Sequence, residues 1–499
     1  MPTGNIINLF LQTAQAYPER VAFIHEGTAI TFGELLNDMQ HTAGLYIQKG
    51  IMPGNKVLVF VPMSSDLYRI VLALFYIGAC PVFLDEWVSF SRLKKCLETV
   101  PCTSVIAGRK LLLLSYFAQP LRKIRLKLYA GAKYRDAPQT RPYDAHDDET
   151  ALVTFTTGTT GTPKAANRTH GFLYAQYHAL RPLLDRELVS FVSLPVVVLA
   201  NLGLGKTTVL PPARFSAGKK DTYKNLVGYL HDNMVEEIIS SPSVCLQIDN
   251  SVKLSMAHIL TGGGAVFPAD AETLLHAFPG AEVTVVYGST EAEPVCHIAA
   301  ESLAAVTPET LKSYGLPVGR PVKCSVIPYR EGIIEFPPQA PIEELALPEG
   351  KDGEIIVAGP HVLKGYINNP EAERRYKLRV KNEIWHRTGD AGMMKDGLLY
   401  FLGPCSEIIN YNGVTYYPVI TGYMFCGMTG ATRAALLMHD GNPLLIVQSP
   451  AKIKDDILQN ALAFVQLPDA AIKYVQKIPL DKRHRTKIDY DRLRAMIRS

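Results

Sequence analysis

Apolar and polar positions along this chain follow two rhythms that repeatedly trade places. Ile6–Tyr17 carries apolar side chains at helical spacing, and Thr31-Phe-Gly-Glu34 has the Thr-x-x-Glu form of a capped helix entry, predicting a second helix to about Lys49. Val57–Val61 then reads as a short apolar strand, Ser64–Ile77 as a helix closed by Gly78, and Cys80–Leu84 as a strand again. Strands that alternate with helices in this way predict a parallel sheet covered on both faces. Further on, Gly171–Leu180 reads as a helix, Ser190–Asn201 as an apolar strand and turn, and Val235–Leu246 as strand, turn and helix. His258–Leu260 is a strand entering Thr261-Gly-Gly-Gly-Ala265, and Glu282–Val286 a β-rich strand entering Tyr287-Gly-Ser-Thr-Glu291. Ligands of α/β sheets collect at the carboxyl ends of strands, which makes these two loops candidate site elements. From about Pro317 to Leu402 the strands shorten between Gly and Pro, predicting a smaller β-rich subdomain. Past Gly403 a compact α/β segment ends in the basic tail Lys482–Arg498.

A length of 499 residues exceeds what a single core supports, so two or more domains are expected. An apolar content of 47% with 20% charged residues describes an ordinary globular chain. The net charge of +4 is too weak to argue for or against nucleic acid, and none is expected as a partner. Eight scattered cysteines form no Cys-x-x-Cys pair and no Cys/His cluster at metal spacing; they read as reduced thiols of a cytoplasmic protein. Met1-Pro-Thr-Gly-Asn5 lacks a basic flank before an apolar run, so no signal peptide is expected. The longest apolar stretches, Ile70–Leu84 and Phe191–Leu204, fall short of a membrane span and read as core. Eight Lys/Arg and no Asp or Glu lie between Arg109 and Arg135, interleaved with Leu, Ile, Tyr and Phe. That run is either a solvated basic face or a peripheral contact with an anionic membrane or a lipid-carrying partner.

The most distinctive chemistry is in Thr154-Phe-Thr-Thr-Gly-Thr-Thr-Gly-Thr-Pro-Lys164, where a β-branched, apolar run passes into hydroxyls and glycines and closes on a lysine. Gly158 and Gly161 let backbone N–H groups turn toward a ligand. Thr156, Thr157, Thr159 and Thr160 add donors and Lys164 adds charge, so a polyphosphate is the natural guest. A Thr/Gly-rich surface loop is the plain alternative. The spacing is not that of a Walker A loop, and Gly205-Lys-Thr207 is not the end of one, because Ala200 stands where that pattern needs glycine.

The threonine segment resembles the phosphate-binding loop of the acyl-adenylate-forming enzymes, the superfamily of acyl-CoA synthetases, peptide-synthetase adenylation domains and luciferases. Thr31-Phe-Gly-Glu-Leu35, Pro53-Gly-Asn-Lys-Val57 and Ala73-Leu-Phe-Tyr-Ile-Gly-Ala79 resemble that superfamily's N-terminal subdomain. Tyr287-Gly288-Ser289-Thr290-Glu291 is similar to its Tyr-Gly-x-Thr-Glu motif. The resemblance implies that Tyr287 packs on adenine, Thr290 bonds the α-phosphate and Glu291 holds magnesium; alone, the pentapeptide is also a helix-cap pattern. Gly263, Gly264 and Ala265 resemble the segment lining the other side of the adenine. Thr388-Gly-Asp390 resembles the ribose motif, whose aspartate takes both sugar hydroxyls, although Gly-Asp by itself is merely a turn. Lys487 resembles the terminal lysine that stabilises the pentavalent phosphate; without the resemblance it is one more solvent-exposed lysine of a basic tail.

The resemblance implies an α/β fold. A large N-terminal domain, residues 1–402, has layered α/β sheets and a β-rich subdomain and holds ATP and the acyl substrate. A small mobile C-terminal α/β domain, residues 403–499, carries the catalytic lysine. Two motifs depart from the family. The hinge Gly-Arg-x-Asp reads Gly403-Pro-Cys-Ser406, without a cation and with a stiffer backbone, while Gly413 still matches the loop glycine near the pantetheine arm. The Pro-x-x-aromatic gate reads Pro195-Val-Val-Val198. The acyl pocket is expected from Val198, Asn201, Gly288 and Val295, within segments whose apolar character is lipid-like. Glu291-Ala-Glu-Pro-Val295, Asn201 and Arg483-His-Arg-Thr-Lys487 resemble bacterial fatty acid ligase relatives that include the olefin-pathway β-lactone synthetases.

The leading expectation is an enzyme that uses ATP and magnesium to turn a fatty-type carboxylate into acyl-AMP, then passes the acyl group to CoA or a carrier protein. A second is a β-lactone synthetase, in which the 3-hydroxyl of the bound acid displaces AMP. A third is a nucleotide-binding protein that has lost turnover through Pro404.

Overall fold

The computed structural model describes residues 4–84, 89–132, 141–156, 163–213, 215, 220–248, 254–481 and 487–498. Three sheets build the larger part of the molecule. The first runs in the order Leu126–Tyr129, Ser104–Ala107, Lys56–Phe60, Cys80–Phe83, Thr150–Thr156 and Lys164–Thr169. Its strands are parallel except the last pair. That exception sets the ends of the threonine segment: Thr156 pairs with Lys164, so the lysine that closes the segment lies directly across from Thr156.

The second sheet is eight-stranded, in the order Ala292–Ala299, Glu282–Ser289, His258–Gly262, Glu237–Ser240, Ser190–Val192, Thr208–Val209, Val21–His25 and Thr28–Thr31. Its interior is parallel and both margins are antiparallel. Strands such as His258–Gly262 are buried at every position, as expected where helices cover both faces of a parallel sheet. The expected helices form at Ile7–Ala16, Phe32–Gln48, Ser65–Tyr76 and His170–Leu184. The Phe32–Gln48 entry is fixed by a reciprocal cap: Glu34 N–H donates to Thr31 Oγ1 and Thr31 N–H to Glu34 Oε2.

Two expectations are corrected here. Ser190–Asn201 is not strand and turn; the strand stops at Val192 and a helix spans Pro195–Leu204. Proline at its first position needs no N–H partner, and Gly205 at φ +73° ends it in the left-handed region that glycine favours. Nor is Tyr287–Glu291 a loop after a strand. The strand continues to Ser289, Ser289 pairs with Ala292, and Thr290 and Glu291 are the tip of a hairpin with no helix behind it to cap.

The third sheet is antiparallel, ordered Leu316–Gly319, Leu398–Pro404, Glu383–Lys395, Asp352–Ala358 and Cys324–Ile327, with Lys377–Val380 also paired to Glu383–Lys395. Past Pro404 come the hairpin Ile409–Tyr411/Val414–Tyr416, the helix Pro418–Thr429 and a small sheet of Arg433–His439, Asn442–Gln448 and Ala471–Tyr474. The helix Pro418–Thr429 docks on the eight-stranded sheet's helical cover, where the Tyr423 ring stacks on Phe267 at 4.1 Å and its hydroxyl accepts from Ala269 N–H. All eight cysteines are free thiols. Among the described residues no helix is long and apolar enough to cross a membrane.

Candidate active site

The site grows from the hairpin tip at Thr290 and Glu291. Gly288 makes the tip possible: a Cβ there would lie 2.9 Å from the Ala292 carbonyl oxygen, so any side chain would push the strands apart. One residue back, the Tyr287 hydroxyl donates to Asp390 Oδ2 at 2.8 Å, joining strands of two different sheets across 103 positions of sequence. The Tyr287 ring leans on Phe401 at 5.9 Å. Burial drives the Tyr287 phenol well above its ordinary value. Burial also raises the Asp390 carboxyl, against the lowering pull of the Lys487 charge and of the Tyr287 bond. Lys487, exposed, starts the return strand of a short antiparallel bridge, Leu480 opposite Ile488, with Asp481 N–H donating to its carbonyl at 2.9 Å.

Glu291 is turned inward, with 9% of its side chain exposed. The Tyr366 hydroxyl donates to Glu291 Oε1 at 3.1 Å, and Lys164 Nζ lies 3.9 Å from the same oxygen. Lys164 Nζ also sits 3.8 Å over the Tyr376 ring and 5.4 Å from that of Tyr366, so two aromatic faces hold the ammonium group beside the carboxylate. Behind them Lys377 is buried, donates to the Leu363 carbonyl and lies 5.4 Å over Tyr366. Burial lowers its amine to about 7, Glu291 pulling it up and Lys164 pushing it down. Leu363 N–H donates to the Glu291 carbonyl at 2.7 Å, locking the hairpin tip to the third sheet's connection. Arg168, also buried, ties the tip to the first sheet: Nη2 donates to the Thr290 carbonyl at 3.1 Å and Nε to Thr154 Oγ1 at 3.2 Å.

The structure therefore gathers Tyr287, Thr290, Glu291, Lys164 and Asp390 around one hairpin tip, with the Lys487 charge acting on Asp390. Gly263, Gly264 and Ala265 follow the neighbouring strand His258–Gly262, with Gly263 at φ +86°. Ser289 Oγ is buried without a partner among the described residues, an orphaned hydroxyl beside the tip. Thr156 ends its strand, while Thr157, Gly158, Thr159, Thr160 and Gly161 lie outside the described residues. Val198 and Asn201 are fully buried on the helix Pro195–Leu204, where Asn201 Nδ2 donates to Thr208 Oγ1 at 3.2 Å. Val295 belongs to a separate apolar cluster with Tyr287.

No group of three His, Cys, Asp or Glu side chains able to hold a metal occurs among the described residues. A single inward carboxylate, Glu291, is nonetheless what magnesium requires when the nucleotide's phosphates and water supply its other ligands. Arg168, Tyr366, Tyr376 and Lys377 were invisible to sequence reasoning. Each is one residue in an unremarkable strand, connection or helix end, and what marks it is its contact with Thr290, Glu291 or Lys164.

Residues 10–367 match the family model described as AMP-binding enzyme. Among curated relatives, an olefin beta-lactone synthetase of Xanthomonas campestris is 29% identical over 401 residues, covering 72% of this chain and 69% of the relative. A D-alanine–D-alanyl carrier protein ligase of Streptococcus pneumoniae is 27% identical over 438 residues, covering 83% of this chain and 79% of the relative. Among solved structures, o-succinylbenzoate coenzyme A synthetase of Bacillus subtilis with ATP and magnesium ion superposes with a TM-score of 0.77 at 22% identity, covering 98% of this chain and 100% of that one. That likeness shows a shared fold.

Proposed function

The chain belongs to the family of AMP-binding enzymes, and from that premise we propose that it activates a lipid-like carboxylic acid to acyl-AMP and passes the acyl group to a thiol, CoA or a carrier protein. Its fold is that of the adenylate-forming ligases, a large N-terminal and a small C-terminal domain, which we divide at residues 402 and 403. ATP and magnesium are its nucleotide and metal.

In this reading the adenine lies against Tyr287 and the turn Gly263–Ala265, and Asp390 accepts the ribose hydroxyls. Thr290 holds the α-phosphate, while Lys164 and the threonines of 156–160 hold the β- and γ-phosphates. A carboxylate oxygen of the acid forms a bond to the α-phosphorus as the bond to pyrophosphate breaks in line. Glu291 would hold the magnesium ion, which when bound offsets phosphate charge. Lys487 stabilises the charge that develops at phosphorus. Attack of a thiolate on the acyl carbon then releases AMP. The observation that supports this most is the Tyr287–Asp390 hydrogen bond, because it brings the residues assigned to base and sugar from two different sheets into direct contact.

Lys164 pairs with Glu291 at 3.9 Å, so the cation assigned to the phosphates and the carboxylate assigned to the metal stand side by side.

The test is ATP–pyrophosphate exchange across a panel of acids, with and without CoA. Exchange is expected only when an acid is present, and acid-independent or absent exchange would contradict the proposal. The β-lactone reading has one observation in its favour: Pro404 pairs directly opposite Asp390, where a stiff, uncharged residue replaces the family's hinge arginine. It predicts lactone from a 3-hydroxy acid, ATP and no thiol, a product the thiol-transfer reading does not give. The basic run 109–135 supports a peripheral lipid contact. Leu113, Leu114, Tyr116 and Phe117 are exposed beside exposed Arg122, Lys123 and Arg125. Co-sedimentation with anionic but not zwitterionic vesicles separates that contact from a merely solvated face.

A further inference from the structure

Residues 359–369 join the strand Asp352–Ala358 to the helix Pro370–Tyr376, and on the way they are fastened to both of the other large sheets. Val362 pairs with Ala292, and Leu363 N–H donates to the Glu291 carbonyl at 2.7 Å, which ties the connection to the hairpin tip of the eight-stranded sheet. Tyr366 pairs with Ala166, Asn167 N–H donates to the Gly365 carbonyl at 3.3 Å, and Ile367 N–H donates to the Ala165 carbonyl at 2.9 Å. Those contacts tie it to the strand that Lys164 begins. From the helix that follows, Glu373 Oε1 accepts from Tyr366 N–H at 3.0 Å.

The Tyr366 backbone is therefore held by the first sheet and by a helix, and its side chain is buried. Its hydroxyl reaches across to the third element of the cluster, donating to Glu291 Oε1 at 3.1 Å. At neutral pH the phenol carries the proton and a carboxylate can only accept, so the direction of this bond is fixed. The face of the same ring lies 5.4 Å from Lys164 Nζ. A glutamate has three rotatable bonds, and a donor anchored elsewhere limits which way its oxygens point. Where a single carboxylate meets a metal, its orientation is set by such partners, and losing one typically weakens metal binding about 10–100-fold.

We propose that Tyr366 is a positioning residue: its hydroxyl sets the orientation of the Glu291 carboxylate beside Lys164, so that metal and phosphates are received together by groups already in place. The inference rests on the assignment of Glu291 to magnesium and Lys164 to the phosphates, and adds to it the residue that holds the two in register. Tyr366 touches neither nucleotide nor metal in this account; it acts through Glu291.

The test uses the full-length protein without acid, so that ATP binds but is not consumed. Calorimetric titration gives the affinity for ATP with magnesium and for ATP with the metal chelated, and the ratio of the two measures what the metal contact adds. Tyr366→Phe keeps the ring and removes the hydroxyl. It is expected to lower the ratio about tenfold while leaving metal-free ATP binding unchanged. Glu291→Gln is expected to bring the ratio near one, and adding Tyr366→Phe to it should lower the ratio no further, as for two groups that act through one contact. Tyr376→Leu strips the nearer ring from Lys164 and is expected to weaken ATP with and without metal alike, leaving the ratio as it was. The inference is overturned by a parent ratio near one, by an unchanged ratio in Tyr366→Phe, by additive losses in the double variant, or by an equal fall in Tyr376→Leu, which would make the effect one of packing. Ratios that behave as expected in a protein without acid-dependent exchange would support the positioning role and count against acyl activation. An unchanged ratio in Tyr366→Phe beside normal exchange would do the reverse.

Discussion

Replacing Lys487 by alanine is expected to lower acid-dependent ATP–pyrophosphate exchange by about 10²–10³-fold, the scale on which removing one preorganised donor from a developing negative charge slows a reaction. The residue is exposed and sits near the end of the chain, yet its charge pulls on the Asp390 carboxyl, partly offsetting the rise that burial causes there. The loss should fall mainly on kcat, because charge builds on the phosphoryl oxygens only in the transition state, while ground-state binding rests on the hairpin tip. Thiol transfer started from preformed acyl-AMP should lose far less, since no bond to pyrophosphate breaks in that step. Exchange within about threefold of the unaltered enzyme would remove Lys487 from the adenylation step, being under 1 kcal/mol of barrier.

Glu237→Gln is expected to destabilise the large domain by about 3–5 kcal/mol, seen as a lower midpoint of thermal unfolding. Glu237 is fully buried in the middle of the eight-stranded sheet. Lys206 Nζ donates to its Oε2 at 2.6 Å, Ser190 Oγ donates to the same oxygen, and His258 Nδ1 lies 2.7 Å from Oε1. Lys206 also donates to the Leu184 carbonyl at 2.7 Å, so the ammonium group is placed from two sides. Removing the carboxylate charge would leave Lys206 buried without a counter-ion. Replacing both partners by apolar residues, Glu237→Leu with Lys206→Met, should recover much of the loss, because no charge is then left unpaired.

The same cluster sets a pH dependence. Burial alone would raise the Glu237 carboxyl, but the His258 bond, the Lys206 charge and bond, and the Ser190 bond outweigh it, leaving the group below its ordinary value of 4.5. A depressed folded value means the unfolded chain binds the proton more readily. The stabilisation is therefore complete above the unfolded value and is lost as the pH falls through the lower folded one. Acid unfolding of the Gln variant should show a correspondingly shallower slope in that window. A variant as stable as the parent, with the same acid slope, would show that the cluster contributes no net stability.

Much of the layered architecture was readable because its signals are local. Cys80–Phe83, Ser65–Tyr76 and Phe32–Gln48 form close to where apolar spacing, the Thr31–Glu34 cap and Gly78 place them. The run from Ser190 misled because short apolar stretches carry no period. Only the proline that starts the Pro195–Leu204 helix and the left-handed Gly205 that ends it separate helix from strand there. The motif Tyr287–Glu291 was found by resemblance, but its shape was not, since pairing of Ser289 with Ala292 depends on a strand that the pattern did not delimit.

What surrounds the motif residues was not readable at all. Tyr366 meets Glu291 across 75 positions, Arg168 meets Thr290 across 122, and Tyr287 meets Asp390 across 103. Such contacts are set by how sheets stack, and no window of sequence encodes them.

The measurement that tests the account most directly follows an oxygen atom. If a carboxylate oxygen attacks the α-phosphorus at the tip formed by Thr290 and Glu291, acid labelled with ¹⁸O in its carboxylate must hand one labelled oxygen to the AMP released after acyl transfer. AMP carrying one ¹⁸O per turnover is the predicted result. Label retained entirely in the acyl product, or delivered to inorganic phosphate beside ADP, would contradict the account.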